Sequence, residues 1–395
     1  MPVNSICFLY QCEYGGTDSL LKRAEGWLFE NGVNVIDESQ LVDSKPHVDL
    51  FVLPTSRLKD SYKIVKCYKD DSGFLIWSMG HGAFKASIYN TNGKYSFFLG
   101  FLISKFAEKC QKALIETRSL VYTDYTGMLY DLNGRITNGV PIDEIIYPIA
   151  VPVPAYEEKK VKADDKSCGL RAVWLGRVST DFKVHPLMCL LEDINSTNAD
   201  VSLINSFTVI GSGDGLELLK SYIKESHFSF PVFFVESVDY SQLSDFLRKS
   251  YDVMFAMGTS ALDGARSGLP TIIVKPFSSL SSKPVKRYRW IYKSYGFSLG
   301  ELPIKNYGLP QNDVQFGRIV QDLTEKGCHF HSVESKLYSE SFHEDVVFHK
   351  LFFERNVKPI SYKGLKVFCL LNLVFRFKFA IKRCFGYLDN SKKKC

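Results

Sequence analysis

A chain of 395 residues with 45% hydrophobic content is globular and long enough for two domains. Its net charge of +6 is uneven: residues 358–395 carry ten Lys/Arg against one acid, Asp389, so this +9 segment leaves the other 357 residues at −3, which excludes a nucleic-acid footprint on the body. Ten scattered cysteines without a CxxC pair exclude a disulfide framework; with no secretory signal before residues 4–10, they imply reduced thiols in a cytosolic compartment.

Residues 3–10 (VNSICFLY) form a first strand that runs into Tyr14-Gly15-Gly16-Thr17-Asp18-Ser19 and a helix over 20–31, ending at Gly32. Short apolar runs at 33–37, 48–54 and 74–78 read as further strands, the last opening into Met79-Gly80-His81-Gly82. A helical region covers 95–117, and 119–123 returns to strand. The most apolar part of that helix, 95–106, falls short of the roughly twenty residues a membrane span needs, so a buried core helix is expected. The proline- and charge-rich stretch 151–167 is the best linker candidate. Beyond it the rhythm restarts: strand 171–175, a turn at Gly176-Arg177, a helix near 186–195, and strand 207–210 entering Gly211-Ser212-Gly213-Asp214-Gly215. Then follow a helix at 216–225, strand 232–235 and a helix at 241–249.

The segment 251–274, YDVMFAMGTSALDGARSGLPTIIV, organises the second half. It reads as strand 253–256, the turn Gly258-Thr259-Ser260, a helix at 261–266 and strand 271–274, a parallel β-α-β unit. Free N–H groups and the helix dipole at such a turn favour an anion. The alternation throughout predicts an α/β protein with doubly wound parallel sheets. Its expected divisions are an N-terminal domain at 1–155, a linker at 156–168, a C-terminal domain at 169–350 and a basic, apolar tail at 351–395. Cys328, His329 and His331 match no standard zinc spacing and read as a surface turn.

Three motifs in the second half resemble the nucleotide-binding domain of GT-B glycosyltransferases, closest to the large retaining family numbered four. They are VWLGRVSTDFKVHP with Gly176, Arg177 and Lys183; TVIGSGDG with Gly211 and Gly213; and GTSALDGARSGLP with Asp263, Gly268 and Pro270. In the first half, Gly15-Gly16 resembles the family's N-terminal glycine loop, and IWSMGHGAF the tryptophan- and glycine-bearing turn of related surface-polysaccharide transferases. The resemblance implies two Rossmann-like domains with a cleft between them and transfer of a hexose from a nucleotide-sugar. The acceptor would be a lipid-linked or other oligosaccharide, in O-antigen or capsule assembly. It implies no metal and no cofactor, and the sequence contains no Asp-x-Asp triplet, the usual metal holder of GT-A enzymes.

By the same resemblance Arg177 and Lys183 stabilise the leaving diphosphate, with His81 near the transferred sugar. Gly15, Gly16, Gly176, Gly211, Gly213 and Gly258 give the backbone access to the donor. Thr259 and Ser260 donate to a phosphate, and Asp263 meets the ribose hydroxyls. The family's acidic pair is spaced eight positions apart, which puts its first member at Phe255, where this chain has no acid. Retention and inversion therefore both stay open. So do two other functions, a GT-B nucleotide-sugar epimerase and a non-catalytic scaffold docking partner enzymes of polysaccharide assembly. The tail suits either an anionic membrane surface, making the protein peripheral at the inner face of the cytoplasmic membrane, or packing back on the N-terminal domain.

Overall fold

The computed structural model describes residues 3–10, 16–58, 68, 72–80, 83–84, 97–132, 141–152, 169–201, 203–277, 286–300 and 312–355. The chain divides into two compact units, Met1–Val151 with Glu344–Cys395, and Pro152–His343. Gly15, His81, most of the linker candidate and the 358–395 tail lie outside the described residues.

In the first unit five parallel strands take the order β2-β1-β3-β4-β5, with β1 Ser5–Phe8, β2 Asn34–Ile36, β3 Leu50–Pro54, β4 Gly73–Ser78 and β5 Leu120–Tyr122. Strands covered on both faces must be apolar throughout, and β1, β3, β4 and β5 are buried at every position. Helix α1, Gly16–Glu30, turns Leu20, Leu21, Ala24 and Leu28 into the core. Gly32, at φ +78°, ends it as an L-residue could not without strain: its N–H donates to Phe29 O, and that of Val33 to Leu28 O. Helices α2, Phe97–Glu116, and α3, Tyr125–Asp131, complete the connections; Asp124 caps α3 by accepting from Gly127 N at 2.7 Å. Among the described residues, no helix is long and apolar enough to cross a membrane.

In the second unit β6 Leu170–Leu175, α4 Val184–Val201, β7 Ile204–Ile210, α5 Leu216–Glu225 and β8 Val232–Val235 build outward in one direction. Helix α6, Tyr240–Ser250, then carries the chain back to β9 Val253–Ala256 on the other side of β6, followed by α7 Ser260–Arg266 and β10 Thr271–Val274. The order is β11-β10-β9-β6-β7-β8, so the direction of winding reverses between β6 and β9. Helix α7 lies so close to β9 that a Cβ on Gly264 would stand 2.3 Å from Met254 Sδ.

Three features depart from the sequence reading. An antiparallel edge strand, β11 Tyr288–Trp290, pairs with β10, so this sheet is not wholly parallel. Helix α8, Phe316–Glu340, bends at Gly327 (φ 76°, ψ 161°). Cys328, His329 and His331 therefore lie on a helix, not in a surface turn. His331 is fully buried: its ring stacks on Trp290 at 3.8 Å between centroids, and its nitrogens meet Tyr292 Oη at 2.9 Å and Asp322 O at 3.0 Å. Burial holds its pKa below the ordinary histidine value, as befits a neutral core group.

After α8 the chain rejoins the first unit. Helix α9, Glu344–His349, and the turn after it place Val347, Phe348, Leu351 and Phe352 in the core against α1 and β1. Trp27 Nε1 donates to Asp345 at 2.7 Å, Arg23 pairs with Glu344 at 3.0 Å, and buried Arg355 donates to the carbonyls of Arg118 and Glu144.

Candidate functional site

The carboxyl ends of β6 and β9 flank the reversal of strand order in the second unit. Loops leaving two such strands diverge and leave a crevice, the usual ligand position of an open α/β sheet. The turn after β6 runs Gly176-Arg177-Val178 and reaches Lys183 just before α4; the turn after β9 is Met257-Gly258-Thr259, leading into Ser260 at the start of α7.

Gly176 sits at φ +145°, a backbone conformation L side chains avoid. A Cβ built there would stand 3.5 Å from Ser260 Oγ, 3.7 Å from Lys183 Nζ and 3.9 Å from Trp174 Nε1. Three donors from two turns and a core strand thus surround one point. Lys183 is half-buried, with the Phe182 ring centroid 5.9 Å from its Nζ, and among the described residues no carboxylate lies within ion-pair distance of it. Burial, together with the neighbouring Arg177 charge, holds the ammonium below its ordinary pKa. Arg177 is exposed and likewise has no ion-pair partner among the described residues. Asp181 offsets part of this, acting on both cations from beyond ion-pair distance, as Asp214 does on Arg177. Two cations kept near each other with no carboxylate in direct contact favour an anionic ligand.

Gly211 (φ +142°) and Gly213 (φ +149°) serve the joint between two turns. A Cβ on Gly211 would stand 2.2 Å from Gly176 O, and one on Gly213 2.2 Å from Val178 O. Backbone bonds hold the turns together: Gly176 N–H to Ile210 O at 3.0 Å, Val178 N–H to Ser212 O at 2.9 Å and Gly215 N–H to Val178 O at 3.0 Å. Thr180 adds a side-chain bond to Asp214, which lowers the pKa of that carboxyl. Gly258, at φ +67°, has open space where a Cβ would go; its N–H donates to Leu299 O, so that donor is already used.

Thr259 is exposed. Asp263 lies one helical turn after Ser260, on the same face of α7. Burial raises the Asp263 pKa from 3.8 to about 6, against the pull of Arg266 at 3.8 Å. Phe255 is in the middle of β9 and fully buried, its ring 6.1 Å from those of both Phe207 and Phe316. That position belongs to the core, so the absent acid leaves no gap at the turn.

The structure therefore gathers Gly176, Lys183 and Ser260 around one point, with Arg177 beside it and Gly211 and Gly213 packed against the turn. In the first unit, Gly16 opens α1 after β1. Trp174 is the member that motif reading passed over. Its only sequence signal is an indole two residues before the glycine turn, flanked by the aliphatic Val173 and Leu175. Among the described residues, no three His, Cys, Asp or Glu side chains gather to hold a metal ion.

No protein-family model matches the sequence, and no curated protein does. Among solved structures the chain is similar to the apo form of the lipopolysaccharide outer core galactosyltransferase WaaB. The identity is 12% and the TM-score 0.51, over 89% of this chain and 99% of that one. It is also aligned with AviGT4, a glycosyltransferase involved in avilamycin A biosynthesis (12% identity, TM-score 0.46, 90% and 97% of the two chains). A third is WaaG, a glycosyltransferase involved in lipopolysaccharide biosynthesis (12%, 0.43, 90% and 100%). At this identity the WaaB likeness speaks to architecture: the chain has the GT-B fold of two Rossmann-like domains.

Proposed function

We propose that this chain is a glycosyltransferase moving a hexose from a nucleotide-sugar to a saccharide acceptor in surface polysaccharide assembly. The observation that carries the reading is the cationic point at the strand-order reversal, where Lys183, with no ion-pair partner among the described residues, stands beside Ser260 and Gly176. As a glycosidic bond to a nucleoside diphosphate breaks, negative charge grows on the leaving phosphate oxygen. Fixed cations and hydroxyl donors held in place before the reaction stabilise that charge without a metal. Lys183 and Arg177 supply the charge, Ser260 a hydroxyl donor. Asp263, largely ionised at neutral pH, accepts from donor hydroxyls.

The first unit takes the acceptor, which we take to be lipid-linked, with the basic, apolar residues 358–395 holding the protein at an anionic leaflet. The architectural likeness to WaaB, a lipopolysaccharide outer core galactosyltransferase, supports the polysaccharide setting. With Phe255 in the core, no carboxylate from β9 meets the sugar. The stereochemical course then rests on leaving-group stabilisation, the departing phosphate serving as base on the same face if the configuration is retained.

The test starts with a thermal-shift screen of nucleotide sugars on the full chain, since a ligand that binds only the native state raises the melting temperature. Transfer from the donor so identified is then measured for Arg177→Ala, Lys183→Ala and the double variant. We expect kcat to fall on the order of 10²-fold, more than donor affinity does, and transfer to persist in excess chelator. Full activity of the double variant overturns the site. Loss in chelator, restored by Mg²⁺ or Mn²⁺, overturns the metal-free mechanism, and saturable donor binding with neither transfer nor hydrolysis by the native protein favours a scaffold.

A further inference from the structure

Trp174 poses a question that the cations leave unanswered. Its side chain is fully buried in β6, yet its indole Nε1 has no hydrogen-bond acceptor among the described residues. A buried N–H without a partner costs on the order of 1–3 kcal/mol, and an indole can only donate, so no rearrangement of its own satisfies it. Tryptophans in a core usually aim this group at an acceptor. Here Nε1 lies 3.9 Å from where a Cβ on Gly176 would be, and Lys183 Nζ and Ser260 Oγ lie 3.7 Å and 3.5 Å from the same point. A Phe would fill the strand position with nearly the same shape and leave no orphan donor, so packing alone does not account for the tryptophan.

We infer that Trp174, Lys183 and Ser260 form a pocket for a single oxygen above Gly176, in which the Trp174 N–H donates to one non-bridging oxygen of the donor's diphosphate. The inference rests on the nucleotide-sugar reading and adds a ligand-contacting residue to it. The geometry suits one atom. The positive φ of Gly176 turns its bare Cα toward the three donors, and among the described residues, the adjoining ones apart, nothing approaches a Cβ position there closer than 3.5 Å. Any side chain on residue 176 would occupy that place. The ammonium selects an anionic oxygen over a sugar hydroxyl, while the indole, held rigidly by the strand, fixes where that oxygen sits. A donor that is neutral and immovable discriminates by position, which the flexible lysine cannot do.

The experiment compares the full chain with Trp174→Phe by calorimetric titration with UDP, GDP and ADP and with the matching nucleosides. For the diphosphate that the native protein binds, Trp174→Phe should weaken affinity roughly ten- to hundred-fold, as expected for a lost hydrogen bond to a charged group. Nucleoside affinity should stay within about twofold, and the ligand-free melting temperature should not fall, because the ring is kept and the orphan N–H removed. Unchanged diphosphate affinity in a folded Trp174→Phe overturns the inference and leaves the glycosyltransferase reading standing. No binding of any of the three diphosphates by the native protein overturns both.

Should Trp174→Phe fail to fold, ¹⁵N-indole spectra of the native protein decide. Of its four tryptophans, the Trp174 resonance, assigned by replacing the other three in turn, should shift with diphosphate and not with nucleoside. An unmoved resonance overturns the inference.

Discussion

Gly211→Ala, set against Gly258→Ala, separates the glycines that join turns from the one that only bends the chain. At Gly211 the new Cβ would stand 2.2 Å from Gly176 O and 2.9 Å from Gly176 C. These are backbone atoms tied by the Gly176 N–H to Ile210 O and Val178 N–H to Ser212 O bonds, so the clash is relieved only by parting the two turns. Overpacking of this kind costs about 1–3 kcal/mol, and φ of +142° adds about 1–3 kcal/mol for a residue other than glycine. Together these come to about 2–6 kcal/mol. In a domain of this size each kcal/mol lowers the melting temperature by about 2–4 °C, so a drop of roughly 5–20 °C is expected. At Gly258 nothing among the described residues lies within 4 Å of the Cβ position and φ is +67°, so only the conformational cost of about 1–2 kcal/mol remains, a few degrees. Ligand-free thermal unfolding of the two purified variants measures both. A Gly211→Ala protein melting within about 2 °C of the native one, or a Gly258→Ala protein losing as much, would refute the assignment of Gly211 to the joint between turns.

Asp263→Asn should stabilise the protein in a pH-dependent way. The folded pKa of about 6 exceeds the ordinary 3.8, so the contribution of Asp263 to stability is fully present below pH 3.8 and lost as pH rises through 6. With a side chain 22% exposed, the loss is on the order of 2 kcal/mol. Denaturant titrations should show Asp263→Asn ahead by up to that amount at pH 7.5 and level at pH 4; an offset independent of pH would count against a buried, destabilised carboxylate. For the tail, the full chain should co-sediment with anionic liposomes, less so at high salt. A chain ending near Pro359 should stay folded, bind its nucleotide sugar and remain in the supernatant. Liposome binding that survives the truncation would remove the tail from the membrane proposal.

Much of this architecture is legible in local sequence, because short apolar runs between turn residues mark out strands, those covered on both faces (Val253–Ala256, Thr271–Val274) and the partly exposed Val232–Val235 alike. The strands Val232–Val235, Val253–Ala256 and Thr271–Val274 and the helix Leu216–Glu225 appear in the structure with the bounds their sequences suggest. The two doubly wound units follow from the same alternation, and the GT-B fold from the family resemblance that the glycine motifs carry. Helix α8 escaped because Gly327 interrupts it and its buried face includes Asp322, His331, Ser332 and Ser335, which satisfy one another and nearby backbone instead of forming an apolar stripe. The sequence leaves packing back on the N-terminal domain open for 351–395 but places 344–350 in the second domain; the return from Glu344 onward rests on partners more than three hundred positions away in α1.

The site divides along the same line. Lys183, Ser260 and Gly176 could be nominated one by one from residue type and turn position, but their meeting at a single point depends on β6 and β9 pairing side by side. The pairing of β6 with β7 brings Gly211 and Gly213 against the carbonyls of Gly176 and Val178, and only the folded core shows that the Trp174 indole ends near the same place without an acceptor among the described residues. Residue identity and local periodicity determine which elements form. Which atoms converge is decided by strand order and register, long-range choices made by the whole core at once.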